Sequence, residues 1–331
     1  MTDRKTTDPD LPFDADLEGA PEPTPVVFVI GAGMVGTTLA AKLLRAGVPV
    51  AGVHGRKPDL SELASALAGV LGSTGELPAI VSESDVVVIS VRDARIPEIA
   101  QRLVDEKRLR PQQVVLHTSG NRPASEMLAA ARPHVKGVGT LHPLIAVTEA
   151  PGTLENLRDA SFGIEGDAPA VHLANRLVRL MGGRPLPLSS EGMALYHAAA
   201  VMASNYVVAL TDIARSMLVA AGVPEKEAVP ALIPLLSSAI RNVAEVGLPS
   251  AMTGPVVRGD VGSIERHISA IEARAPETLD LYRRLGREVL RIARRRVPDL
   301  DDRAVEQMAA LFGNGPSSEP PRLPAPPKKK R

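Results

Sequence analysis

The chain has 331 residues, enough for two domains with separate cores, and combines a formal net charge of zero with 44% apolar but only 2% aromatic residues. Balanced charge removes the electrostatic footprint of a general nucleic-acid binder, and so few rings leave no platform for base stacking. With no cysteine, disulfides, thiolate catalysis and zinc–thiolate sites are excluded, and no metal site is expected.

Residues 1–24, rich in Asp, Pro and Thr, show no apolar period and read as a disordered arm rather than a signal peptide. An apolar strand at 25–30 then runs into a helix at 34–46, and a second strand follows at 49–54. The pattern continues with a helix at 61–71, a short strand at 79–81 and a continuous apolar run at 85–91, the mark of a strand buried on both faces. A helix at 96–108, a strand at 113–117, a helix at 123–132 and strands at 137–141 and 161–165 complete the first half. Such β-α-β alternation predicts an α/β, doubly wound and mostly parallel sheet over residues 25–187. Beyond a helix at 168–182 and an extended link at 185–188 the texture turns helical, with helices at 190–221, 224–246, 262–272 and 275–296. Residues 188–312 are therefore expected to form an all-α domain for substrate and dimerisation, and a homodimer is expected from its Ala-rich faces. The Pro-rich, basic residues 313–331 read as a disordered, solvated tail. No apolar run approaches the roughly 20 residues of a membrane span, so the expectation is a cytoplasmic chain without membrane or nucleic-acid partners.

The junction of the first strand and helix reads Gly31-Ala32-Gly33-Met34-Val35-Gly36. A G-x-G-x-x-G between a strand and a helix suits a dinucleotide: Gly31 for the tight turn, Gly33 for close approach of a pyrophosphate, Gly36 for helix–strand packing. An acidic residue normally ends the second strand of an NAD site, but here His54-Gly55-Arg56-Lys57 stands there. Arg56 and Lys57 offer cations to a 2′-phosphate, which favours NADP(H) over NAD(H).

Three further segments fall at the carboxyl ends of predicted strands, where open α/β sheets bind ligands. Ser90-Val91-Arg92-Asp93 is expected along the cofactor's pyrophosphate and ribose, His117-Thr118-Ser119-Gly120 near its nicotinamide, and Leu141-His142-Pro143-Leu144 beside the substrate. On the long helix, His197, Ser204 and Asn205 share one stripe at 100° per residue, with Tyr196 and Tyr206 flanking it. A reductase acting on C=O or C=N needs such a proton donor and such hydrogen bonds, with His197 as acid/base; a buried polar tie is the alternative. In Thr253-Gly254-Pro255-Val256-Val257-Arg258-Gly259-Asp260, Arg258 suits a substrate carboxylate or a phosphate, and Asp260 suits a helix N-cap or a salt bridge with Arg258.

The ordered set GAGMVG, HTSG, LHPL, YHAAAVMASNY and TGPVVRGD resembles the Rossmann-like proteins that carry the domain of unknown function 2520, over about residues 25–298. The resemblance implies kinship with the superfamily of 6-phosphogluconate dehydrogenase, ketopantoate reductase and pyrroline-5-carboxylate reductase. It further implies an NADP(H)-binding first domain, a dimerising helical second domain and a site in the cleft between them. In the β-hydroxyacid dehydrogenase branch a lysine and an asparagine on the first interdomain helix carry catalysis. This chain has Asn205 but no lysine between 190 and 225, which leaves His197 or Tyr196 as substitutes. The functions that follow are an NADP(H)-dependent oxidoreductase acting on a small, carboxylate-bearing oxo- or imino-acid, a non-catalytic NADP(H)-binding regulator or scaffold, or a deazaflavin-linked NADP reductase.

Overall fold

The computed structural model describes residues 23–56, 69–146 and 159–313. Most of the N-terminal arm, the C-terminal tail, Lys57 and most of the helix expected at 61–71 lie outside the described residues. In chain order the first unit contains β1 (Val27–Ile30), α1 (Met34–Arg45), β2 (Val50–His54), β3 (Leu71–Ser73), β4 (Val86–Ile89), α2 (Ile96–Asp105) and β5 (Val114–His117). It continues through α3 (Ala124–Met127), β6 (Gly137–Pro143), β7 (Ser161–Gly166), α4 (Ala168–Leu180), β8 (Arg184–Pro187) and α5 (Met193–Ala203).

The described strands form one sheet of eight in the order β3-β2-β1-β4-β5-β6-β7-β8. All neighbours are parallel except β6 and β7. The sequence order reverses between β1 and β4, which creates the switch point where such sheets hold ligands. The strands at the centre read as unbroken apolar runs because helices cover both faces: every residue of β1 and β4 is buried. One face packs Val27, Val29, Val86, Val88, Leu116 and Phe162 against Leu39 and Leu43 of α1 and Leu177 of α4. The other packs Phe28, Ile30, Val87, Ile89 and Val115 against Ile96, Ile99 and Leu103 of α2.

Several elements differ from the sequence expectation. Residues Ala79–Glu83 form a 3-10 turn, not a strand, closed by Ser84 Oγ donating to the Ile80 carbonyl at 3.1 Å. The helix expected at 123–132 is the single turn α3, followed by a 3-10 turn at Arg132–His134. Leu71–Ser73 and Arg184–Pro187 are strands, joined to β2 and β7. The long helix expected from 190 is interrupted: Ser204 has φ −125° and ψ −76°, so α5 ends at Ala203 and a new helix starts at Asn205.

The chain divides into two compact units after Ala203. The second contains α6 (Asn205–Ala220), α7 (Glu225–Val246), α8 (Val261–Arg274), α9 (Leu279–Arg296) and α10 (Asp302–Leu311). Asp260 caps α8 by accepting from Ser263 N at 3.0 Å. The sequence pattern did not yield α10; Asp301 caps it, and it buries Ala304 and Met308, with Phe312 just beyond, against Ile264, Ile268, Leu290 and Ala293.

Two stretches, Ser190–Ala220 (31 residues, mean hydropathy 1.4) and Glu225–Val246 (22 residues, 1.2), are long and apolar enough to cross a membrane by length and composition. This corrects the expectation that no run approaches such a span, because the interruption at Ser204 and the prolines of α7 do not lower the apolar content. Much of that content is exposed, including Val208 at 71% and Leu235 at 67%.

Candidate active site

The glycine loop joins β1 to α1 at the switch point. Gly31 has φ +125°, and a Cβ there would lie 1.9 Å from the Ser90 carbonyl oxygen, so backbone conformation and space both demand glycine. A Cβ on Gly36 would lie 2.0 Å from the Gly31 carbonyl oxygen, which brings the first turn of α1 down onto the loop. At Gly33, by contrast, no described atom comes within 4 Å of an added Cβ, and the residue is exposed. The amides at the start of α1 have no intrahelical acceptor and carry the positive end of the helix dipole. This is an open cradle of N–H donors, and it fits a pyrophosphate. Ala32 contributes the loop's packing: a Cβ on Gly55 would lie 2.6 Å from Ala32 Cβ, so the exit of β2 lies flush against the loop. Met34 is exposed and Val35 half-buried.

Strand register lines up one row of residues across the carboxyl margin of the sheet. Ser73 pairs with His54, His54 with Ile30, Ile30 with Ile89, Ile89 with His117, His117 with Thr140, and Thr140 with Glu165. The middle of this row is apolar and each end is polar. On one side His54, buried where an acidic residue would hold a ribose, places Nδ1 3.1 Å from Ser73 Oγ. Burial, and then Arg102, holds that imidazole below its ordinary pKa. Arg56 follows it and is exposed.

On the other side the hydrogen bonds have a fixed direction. Ser119 N–H donates to His117 Nδ1 at 3.1 Å, so that nitrogen carries no proton. Nε2–H is left to donate to Thr140 Oγ1 at 3.1 Å, and Thr140 donates on to Glu165 Oε2 at 3.3 Å. The His117 ring is 0% exposed, and burial pushes its pKa down to about 4. Against the expectation of an imidazole beside the cofactor, both of its nitrogens are bonded within this unit, to Ser119 and Thr140. Ser119 is also internally engaged, its Oγ donating to Asp93 Oδ2 at 2.7 Å. Ser90, buried at the end of β4, accepts from Thr118 Oγ1 at 3.2 Å, with Val91 half-buried beside it.

Two residues further along β6 the same face carries a different layer. His142 pairs with Gly163 on β7, and the missing side chain of Gly163 makes room for the Tyr196 ring, which a Cβ would meet at 2.8 Å. Gly120 gives the His142 ring its space in the same way. His142 Nδ1 lies 2.9 Å from Tyr196 Oη, and the His142 and His197 ring centroids are 5.9 Å apart. Burial, then the neighbouring His197, pushes His142 down to about 4, while burial pushes Tyr196 up to about 12. At neutral pH the phenol is protonated and His142 is uncharged. The bond is satisfied with the phenol donating to Nδ1, which leaves the imidazole proton on Nε2. His197 Nδ1 is buried without a hydrogen-bond partner among the described residues.

The structure thus brings His142, Tyr196 and His197 together. Ser204 and Asn205 stand beyond the helix interruption, with Ser204 Oγ donating to Asn205 Oδ1 at 3.0 Å, so they do not continue the stripe of His197 on one unbroken helix. Arg258 ends a 3-10 turn of the second unit and is exposed. Sequence reading missed Thr140, Gly163 and Glu165; the only local sign was two glycine-containing strands with polar residues inside them.

Two family models match the chain: a Rossmann-like domain over residues 14–146 and a domain of unknown function, DUF2520, over residues 160–289. No curated protein matches the sequence. Among solved structures, protein TM1727 from Thermotoga maritima is 24% identical with a TM-score of 0.63, the match covering 80% of this chain and 98% of that one. Pyrroline carboxylate reductase from Plasmodium falciparum, solved with NADP bound, is 11% identical with a TM-score of 0.53, over 87% of this chain and 98% of that one. A reductive aminase from Aspergillus terreus in complex with NADPH is 13% identical with a TM-score of 0.52, over 87% and 92%. At these identities the likeness is one of fold.

Proposed function

We propose that this chain, which belongs to the Rossmann-like/DUF2520 proteins, is an NADP(H)-dependent oxidoreductase acting on a small oxo- or imino-acid. The observation that carries the proposal is the second layer: a protonated phenol, an uncharged imidazole and a histidine with an unused nitrogen, on the sheet margin that also bears the glycine cradle. The loop from Gly31 to Gly36 would hold the pyrophosphate, and Arg56 with Lys57 the 2′-phosphate. Bound NADPH supplies a hydride to the carbonyl or imine carbon. His197 donates the proton that the oxygen or nitrogen then requires, so that one hydride and one proton add across the double bond. His142 would hold that heteroatom through its Nε2–H, the tautomer that the Tyr196 phenol fixes by donating to Nδ1, and neither group carries charge. NADPH consumption with a panel of 2-oxo acids, β-keto acids and cyclic imines tests this. Turnover of at least one member, lost in His197→Ala, is expected. NADPH binding without turnover of any substrate, unchanged by His197→Ala, would instead mark a regulatory NADP(H)-binding protein.

The preference for NADP(H) is supported by the absence of a carboxylate at the end of β2, where His54 is buried on Ser73. The double variant Arg56→Ala, Lys57→Ala should weaken NADPH binding by about tenfold or more and leave NADH binding nearly unchanged. Equal losses would overturn it.

A second copy of the chain is the proposed cover for the exposed apolar helices. Along α7, Val229, Ile233, Leu236, Ile240 and Val243 recur at alternating steps of four and three residues, the spacing of a helix–helix seam. Ile233 and Ile240 are exposed in the single chain, at 51% and 64%. Sedimentation should give a dimer that Ile233→Glu, Ile240→Glu converts to a monomer. A wild-type monomer that floats with phospholipid vesicles would assign the face to a membrane instead.

A further inference from the structure

We propose that Glu165 is the positioning residue of this site: a buried carboxylate that fixes the entry of the helix bearing Tyr196 and His197 and also orients the Thr140 hydroxyl that accepts from His117. The proposal rests on the reductase reading above for its catalytic meaning, but its geometry stands independently. Glu165 is only 5% exposed, on the interior of a sheet where an unpaired carboxylate is not tolerated. Each hydrogen-bond partner described for it is a donor. Oε2 accepts from Ala124 N–H at 2.9 Å and from Thr140 Oγ1 at 3.3 Å, and Oε1 accepts from Ser190 Oγ at 2.7 Å.

These contacts lead to the two walls of the His142–Tyr196 layer. Ser190 opens the 3-10 turn Ser190–Gly192 that feeds directly into α5, and Ser189 caps the same turn by accepting from Gly192 N at 3.1 Å. Little more than one helical turn later, Tyr196 reaches Gly163, two residues before Glu165 on β7. The bond to Ser190 therefore pins the helix entry to the strand on which the phenol rests. In the other direction, Thr140 can donate to Glu165 only while it accepts from His117 Nε2–H. His117 Nε2–H is the donor on that side because the Ser119 amide donates to Nδ1 on the other. Ser119 precedes Gly120, on which the His142 ring packs. One carboxylate thus orients the phenol from above and the support of the imidazole from below. A group with no direct contact to the chemistry positions both partners of the 2.9 Å His142–Tyr196 bond.

Two spectroscopic signatures in the full-length protein test this, neither of which needs a substrate. Long-range ¹⁵N correlation of the imidazoles should show wild-type His117 as the pure Nε2–H tautomer. Glu165→Ala should keep that tautomer, which the Ser119 amide holds, but shift the Nε2 resonance, because the Thr140 hydroxyl is no longer turned to accept from it. Glu165→Gln should restore the wild-type pattern, because an amide oxygen can still accept from Ala124 and Thr140. Ser190→Ala should leave the His117 tautomer intact but lower the titration midpoint of Tyr196, followed by its ¹³Cζ shift, from about 12 toward its ordinary value of 10.0. If Glu165→Ala does not fold, Glu165→Gln and Ser190→Ala carry the test. Unchanged His117 and Tyr196 signals in every folded variant would reduce Glu165 to a satisfied core carboxylate. NADPH binding by the wild type, measured by its fluorescence, is read separately: its absence would defeat the reductase reading while leaving the two signatures to decide the role of Glu165.

Discussion

Two histidine layers lie two residues apart on the same face of β6, and they differ in how completely their polar atoms are hydrogen-bonded. In the lower layer, the His117 imidazole, Thr140 and Glu165 are buried and each nitrogen and carboxylate oxygen is engaged. In the upper layer His142 and Tyr196 satisfy one another, but the His197 Nδ1 has no described partner and the group is only partly buried. A polar cluster whose valences are all used internally can stabilise and orient, but it has no donor to lend to a reacting molecule. The proposed reaction is for that reason assigned to the upper layer, which has a nitrogen without a described partner. The position of a histidine at the end of a parallel strand does not distinguish the two; the completeness of its hydrogen bonding does.

The sharpest test of that contrast is the rate of the proposed reaction. His197→Ala should lower turnover by on the order of 10²–10⁴, the range for loss of a positioned acid or donor, and Tyr196→Phe, which releases the His142 imidazole from its fixed tautomer, should lower it as well. Tyr196→Phe should leave stability within about 1 kcal/mol of wild type, because His142 is partly exposed and water can replace the phenol. If Tyr196→Phe instead unfolds the protein with unchanged turnover per folded molecule, the upper layer is structural and the contrast collapses.

Acid should act on both layers together. The ordinary histidine value is 6.5, and both His117 and His142 are pushed to about 4 in the folded chain. Between these values the unfolded chain binds more protons than the folded one, so stability falls as pH is lowered through that window and levels off below it. It is fully present above the unfolded value. The expected loss is roughly 3 kcal/mol for each histidine. Urea unfolding across the window measures it, and His142→Gln should remove one histidine's share and retain the other. A flat profile would show that neither imidazole is held neutral by burial.

The difference between the layers was invisible in the sequence, while the cradle was plain there. Gly31, Gly33 and Gly36 are neighbours in the chain, so their roles follow from local backbone chemistry and from the strand and helix on either side. His117, Thr140 and Glu165 meet only through strand register, and Glu165 does so across the one antiparallel pairing of the sheet. Residue type alone made His117 and His142 look equivalent. Likewise, nothing in Ala203-Ser204-Asn205 contains the Gly or Pro that normally announces a helix interruption, so His197 and Ser204 were assigned to one continuous stripe. Strand β3 was missed because three residues, Leu71–Ser73, are too few to show an alternating period.

The smallest expected effect is also the most selective for the lower layer. Thr140→Val keeps the shape of the side chain and removes only its hydroxyl. His117 Nε2–H then loses its acceptor and Glu165 Oε2 loses one of its two described donors, at a site that is 0% exposed at residue 140. An unmade buried hydrogen bond costs about 1–3 kcal/mol, and Ala124 N–H still serves the carboxylate, so the loss should be about 2 kcal/mol. The equivalent removal above, Tyr196→Phe, faces water and should cost less stability but far more rate. Chemical denaturation of the two variants side by side measures this crossover. If Thr140→Val is as stable as wild type, the lower layer has spare partners, and saturation is not what separates it from the site above.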